Sequence, residues 1–195
     1  MSRSSSAHAI HDCRTTRRDV RRFLSFGAAA ALLFCAGVGA APGASLQRFV
    51  SAEAHFSVMM PGTPTSQIVP VPLGPGKTTH LFEFSVSLEN DNVRYLVTYN
   101  DYPLNTDAGS PGATLEAYRD GIAIGKTLLS DKAISLNGVP GRAFTAQGPD
   151  GHYDIQAFYA DSRLFALIVV TKGDHQASDR DAFMNSFEIL TRSSS

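Results

Sequence analysis

Four histidines lie beyond residue 41: His55, His80, His152 and His175. No two are close enough in the chain to act as local metal ligands, and no H-E-x-x-H spacing occurs. Only the fold could bring them together. His80 and His152 fall in strand-like runs and are the first pair to test for a metal or acid–base site. Asp150 and Asp154 bracket the start of one of those runs, as a paired-carboxylate site would. No apolar neighbour is in place to raise one of their pKa values for acid catalysis, so a solvated turn and strand face is the simpler reading. Asp101, Asp107 and Asp161 are loop acids without the ligand register of a calcium loop.

Gly74-Pro75-Gly76-Lys77-Thr78 ends like a phosphate-binding loop. The glycine required five residues before Gly76 is replaced by Val71, and strand-like runs flank the stretch on both sides where a helix should follow. It reads as a hairpin turn. No G-x-S-x-G elbow is present for a serine hydrolase. Both cysteines, Cys13 and Cys35, precede residue 41, so the rest of the chain has neither a thiol nucleophile nor a disulfide framework. Tyr95, Tyr99, Tyr102, Tyr153 and Tyr159 suit a half-buried sheet or a binding face, and the core is the default. No residue is assigned a catalytic, cofactor-binding or metal-binding role, and no cofactor is expected.

The elements that must carry these residues are mostly strands. Asn137 to Thr171 reads as three antiparallel strands. Asn137-Gly138 supplies a tight turn, Gly148-Pro149-Asp150-Gly151 a second and Asp161-Ser162 a third. Leu164 to Val170 is an unbroken apolar run, which places that strand centrally with a layer on each side. Thr78–Leu88 and Val93–Tyr99 alternate as a hairpin. Pro70 and Pro72 confine the run Gln67–Leu73 to a sheet edge. Ser110-Pro111 starts a helix that Gly125 closes. A second helix is expected at about 176–186, with Ala182, Phe183 and Phe187 inward and Ser178 and Asp181 as a capping pair.

The first 40 residues read as an export signal. Residues 1–22 hold six arginines and two acids, and no charge occurs from Phe23 to Ala41. Val38 and Ala40 suit cleavage after Ala40, and Thr16-Arg17-Arg18-Asp19-Val20 resembles a twin-arginine motif. The alternative is an uncleaved anchor, since the uncharged stretch is just long enough to span a bilayer. Residues 41–195 carry 11 basic and 16 acidic side chains, which excludes a basic nucleic-acid footprint. One domain is expected over 41–191, with a disordered tail at 192–195.

Three stretches carry a resemblance. They are Phe56-Ser57-Val58-x-x-Pro61-Gly62-x-Pro64, Leu136-Asn137-Gly138-x-x-Gly141-Arg142, and Ala182-Phe183-x-x-Ser186-Phe187. With the strand and helix order between them, residues 45–191 resemble the PsbP-like superfamily of small exported domains, which includes PsbP and DcrB-like bacterial envelope proteins. The resemblance implies an α+β fold, a PsbP-like α/β sandwich in which an antiparallel sheet is flanked by a helix on each side. It also implies an accessory or binding role without catalysis, and its motifs are made of turn and core residues. The expectation is a periplasmic or secreted domain of the cell envelope that binds another envelope protein or a small ligand. Two alternatives stand beside it. One is a protein of envelope assembly or stress, tethered to the inner membrane through its N-terminal helix. The other is an enzyme or metal-binding protein whose site is assembled only in three dimensions.

Overall fold

The computed structural model describes residues 45–74, 77–101 and 110–190, all within one unit of the chain, Ala40–Ser195. In chain order the elements are β1 (Gln47–Ser51), β2 (Phe56–Met60), β3 (Thr65–Gly74), β4 (Lys77–Leu88), β5 (Val93–Asp101), α1 (Pro111–Ala123), β6 (Thr127–Leu136), β7 (Val139–Gly148), β8 (Gly151–Ala160), β9 (Arg163–Thr171), α2 (Arg180–Asn185) and β10 (Glu188–Ile189). Seven strands form one antiparallel sheet in the order β3-β4-β5-β9-β8-β7-β6, and a smaller sheet runs β1-β2-β10.

Alternation decides which face each side chain joins. Val93, Tyr95, Val97 and Tyr99 of β5 lie beside Phe165, Leu167 and Val169 of β9, and all are buried in the main core. The small sheet closes this core from above with Phe56, Val58 and Met60, and α2 adds Phe183 and Met184. On the opposite face, Leu115 of α1 packs on Ala157, Leu164 and Ala166. The central apolar strand is therefore covered on both sides, as its composition requires. The two helices lie on opposite faces, but α2 is a six-residue element in a layer made chiefly of strands. The described residues are thus mostly antiparallel sheet with little helix, and a full helical layer on each side is not what forms.

The three resembling stretches have structural roles. Asn137 and Gly138 both adopt positive φ, as a tight hairpin turn requires. A Cβ on Gly141 would come within 2.5 Å of the Phe158 ring and 2.7 Å of the Ala157 carbonyl oxygen. Its absence lets Phe158 stack on Phe187, with centroids 5.8 Å apart. Ser186 Oγ accepts from the Met59 amide at 2.8 Å and donates to the Phe183 carbonyl at 2.8 Å, which ties α2 to β2.

The second helix is shorter than its pattern suggests. It begins at Arg180 after Asp179, whose side chain makes no capping hydrogen bond, and Ala182 faces solvent. The Ser178–Asp181 capping pair does not form. Asp181 pairs instead with Arg180, and the backbone turns at Ser186 so that Phe187 enters the core beyond the helix. Helix α1 follows its sequence signals. Ser110 accepts from the Ala113 amide, and Pro111 takes the first helical position.

A charge network fixes α1 to the sheet edge. Asp131 of β6 accepts from Arg142 of β7 through both carboxylate oxygens at 2.6 Å, and from Arg119 of α1 at 2.6 Å. The Arg142 bonds hold the Asp131 carboxyl below the usual carboxylate range, with Arg119 adding to them and partial burial opposing. A carboxyl depressed in the folded state contributes stability that is complete above its unfolded pKa and is lost as pH falls through its folded pKa. Asp131→Asn is therefore expected to flatten the acid-side decline in melting temperature. An unchanged slope from neutral pH down through the carboxylate range would show that the network is not coupled to folding.

Candidate functional site

A cleft of about 720 Å³ opens at one end of the sandwich. The β6–β7 turn forms one wall with Leu136, Asn137, Val139 and Pro140. The β1–β2 turn forms another with Ala54 and His55. Ile189 and Leu190 close the third side, over a floor that includes Ala160, Arg163 and Phe165. Local sequence sets this geometry. Asp161 and Ser162 both take positive φ, which turns the chain tightly from β8 into β9 and delivers Arg163 to the floor. His55 also has positive φ, and its carbonyl accepts from the Leu190 amide at 2.8 Å, joining two walls.

Arg163 is already engaged. Its Nε and Nη2 donate to the two oxygens of Asp101 at 2.6 and 2.8 Å, and Nη1 reaches the Glu53 carbonyl at 3.4 Å. The guanidinium lies over the Tyr99 ring at 4.7 Å. Asp101 raises the Arg163 pKa, with burial opposing, so the cation is permanent. Burial, with Glu53 and Asp101 adding and Arg163 opposing, pushes the Tyr99 phenol up and keeps it protonated. The floor is a held ion pair rather than a reactive group. Among the described residues no hydrogen bond orients the His55 imidazole or the Asp161 carboxylate, so no base-and-orienter chain is assembled there. The cleft combines apolar wall with a nearly equal share of polar surface from His55, Asn137, Tyr159, Asp161 and Arg163.

The other candidate residues fall elsewhere. His80 stands opposite Pro70, level with Asp101, whereas His152 pairs with Thr171 at the other end of the sheet. Asp101↔Arg163 and Val93↔Thr171 are eight residues apart along β9, or ~27 Å. A site built on His80 and His152 has no geometric basis. His175 bonds Glu89 at 2.6 Å. Asp154 is neutralised by Arg180 at 2.7 Å with His152 at 3.6 Å, while Asp150 sits in the exposed turn, so they form no acid–base pair. Among the described residues, no group of three or more His, Cys, Asp or Glu is brought together for a metal. Gly74 pairs with Lys77 across a β3–β4 hairpin, so the phosphate-loop fragment leads into a strand. Residues 75–76 of that turn lie outside the described residues. Tyr95 and Tyr99 are core side chains, and Tyr153 and Tyr159 are half-buried.

Several expectations also fall outside the described residues. These are the export signal at 1–40 with Cys13 and Cys35, Tyr102, Asp107, and the tail at 192–195. Among those described, no helix is long and apolar enough to cross a membrane.

Sequence reasoning missed the cleft residues as a group. Asn137 and Gly138 were legible as a turn and Phe165 as core, but nothing local says that the β6–β7 turn and the chain after α2 meet. Arg163 had a weak signal, as a charge immediately before the most apolar strand.

The solution structure of cyanobacterial PsbP from Synechocystis sp. PCC 6803 is similar over 83% of this chain and 100% of its own, with a TM-score of 0.52 at 17% identity. The fold is PsbP-like. At that identity the likeness is one of fold alone. No family model matches the chain, and no curated protein matches it. The PsbP-like arrangement accounts for the three turn-and-core stretches, because each holds a joint of the sandwich.

Proposed function

We propose that this chain is an exported accessory domain of the bacterial cell envelope that acts by binding and not by catalysis. Its binding surface is the cleft between the β6–β7 turn, the β1–β2 turn and β10. The observation that carries this reading is the lining of that cleft. Apolar walls interrupted by His55, Asn137, Tyr159 and Asp161 surround an arginine already committed to Asp101, which suits the retention of a partner segment or small ligand more than the turnover of a substrate. The arginine-rich start and uncharged stretch of residues 1–41 support export to the periplasm or beyond. The same stretch supports a second reading, a domain tethered to the inner membrane.

Two measurements test the proposal. Intact mass of the chain recovered from the periplasmic fraction should show loss of residues 1–40; full-length protein in the membrane fraction would favour the tethered form, and cytoplasmic retention would overturn both. Wild-type chain used as bait in envelope extract should retain a partner or ligand that Pro140→Glu loses, since Pro140 is exposed on the cleft wall. Equal retention by the two baits would rule out this cleft as the binding surface.

A further inference from the structure

A second cleft, about 360 Å³, lies on the α1 face of the large sheet, where Ile122 and Lys126 at the end of the helix meet β5, β8 and β9. Its lining combines an apolar floor, Leu96, Ile168 and Val170, with the cations Arg94, Lys126 and Lys172 and a single carboxylate, Asp150. The placement follows from register. Arg94 and Leu96 alternate onto the same face as Ile168 and Val170, and Lys172 continues β9 with its amide bonded to the Asn92 carbonyl at 2.9 Å.

The charge pattern is unusual for this chain. Residues 41–195 hold more acids than bases. Each of the six described arginines, Arg48, Arg94, Arg119, Arg142, Arg163 and Arg180, lies within salt-bridge distance of a carboxylate. Among the described residues Lys126, Lys132 and Lys172 lie within salt-bridge distance of no carboxylate, and two of these three, Lys126 and Lys172, line this cleft. Lys126 is held instead by the Ile122 carbonyl at 3.0 Å and by the Tyr153 ring 5.0 Å below it. A carbonyl and a ring orient an ammonium without neutralising it. The third cation is only loosely paired, since Arg94 stands 3.5 Å from Glu83. Unneutralised cations over an apolar floor match a molecule with one charged end and one hydrocarbon end.

We propose that this cleft binds a single-chain amphipathic anion, with its phosphate or carboxylate head among Lys126, Lys172 and Arg94 and its tail along Leu96, Ile168 and Val170. The site is separate from the open-end cleft and does not depend on what that cleft holds.

Calorimetric titration of the full chain tests this with octyl phosphate below its micellar concentration, with inorganic phosphate and octyl glucoside as the head-only and tail-only arms. Octyl phosphate should bind at one site, and each arm alone should bind at least about tenfold more weakly. Lys172→Glu, at an exposed position, should weaken octyl phosphate about tenfold or more. Lys132→Glu on distant β6 should leave it unchanged. The proposal is overturned if octyl glucoside binds as well as octyl phosphate. It is overturned equally if Lys172→Glu behaves like Lys132→Glu. Binding confined to phosphatidylglycerol vesicles, with none to the monomeric amphiphile, would show a surface that reads membranes instead of a cleft that takes one molecule.

Discussion

Gly151→Ala is expected to destabilise the protein by at least about 3 kcal/mol, read as a lower denaturant midpoint with an unchanged slope. Gly151 opens β8 with φ +136, a region that side-chain-bearing residues rarely adopt. A Cβ there would also stand 2.2 Å from the Thr171 carbonyl oxygen and 3.0 Å from its carbon. Both obstacles are backbone, so no rotamer change relieves them. The residue sits where β8 joins both β7 and β9, through the pairs Gly148↔Gly151 and His152↔Thr171. Displacing it loosens two ladders of the central sheet. A loss within about 0.5 kcal/mol, typical of an ordinary surface change, would mean that the two strands do not approach this closely.

Phe183→Ala is expected to cost about 3–5 kcal/mol, in the range for a fully buried aromatic ring. Phe183 is 0% exposed, and its ring meets the Tyr95 ring edge-on at 5.3 Å. The damage should extend along the chain, because α2 has six residues and no side-chain cap. A helix that short has little stability of its own and persists only by tertiary packing. Loss of its anchor should also release the Ser186 tether to Met59, so amide exchange at residues 180–187 should rise more than the global loss explains. Protection unchanged there relative to β9 would show that α2 is held by something other than this ring.

The sheet was the most legible part of the chain, for reasons visible in single residues. Strict alternation in Phe82–Leu88 reports one buried face, and the unbroken Leu164–Val170 run reports two; Val93–Tyr99 reads as one-sided yet β5 also buries Leu96 and Thr98 on its second face. Pro70 and Pro72 mark β3 as an edge because they remove ladder donors. On the opposite edge, β6, Leu128 and Leu129 are 39% and 55% exposed, beside a break in register between Leu128 and Ser130. Helix α2 was over-read because Ser178 and Asp181 have capping spacing, whereas the chain enters the helix only at Arg180. The small sheet was the least legible element. β10 pairs only Glu188 and Ile189 with β2, a contact across more than a hundred residues that two residues of pattern cannot announce. Both clefts inherit that difficulty, since each is made where elements remote in sequence meet. The histidines, the aspartate pair and the glycine-lysine turn all resolve into scattered, paired or hairpin positions.

The most direct test places a photoreactive amino acid at Pro140, on the wall of the open-end cleft, and at Gln67 on the proline-bearing edge as a control, in the chain expressed in its own cells. Irradiation should give a discrete crosslinked species from position 140 in the periplasmic fraction and none from position 67. Crosslinking from 67 alone, or no crosslink from 140 in protein that has reached its compartment, would contradict a domain that works through this cleft.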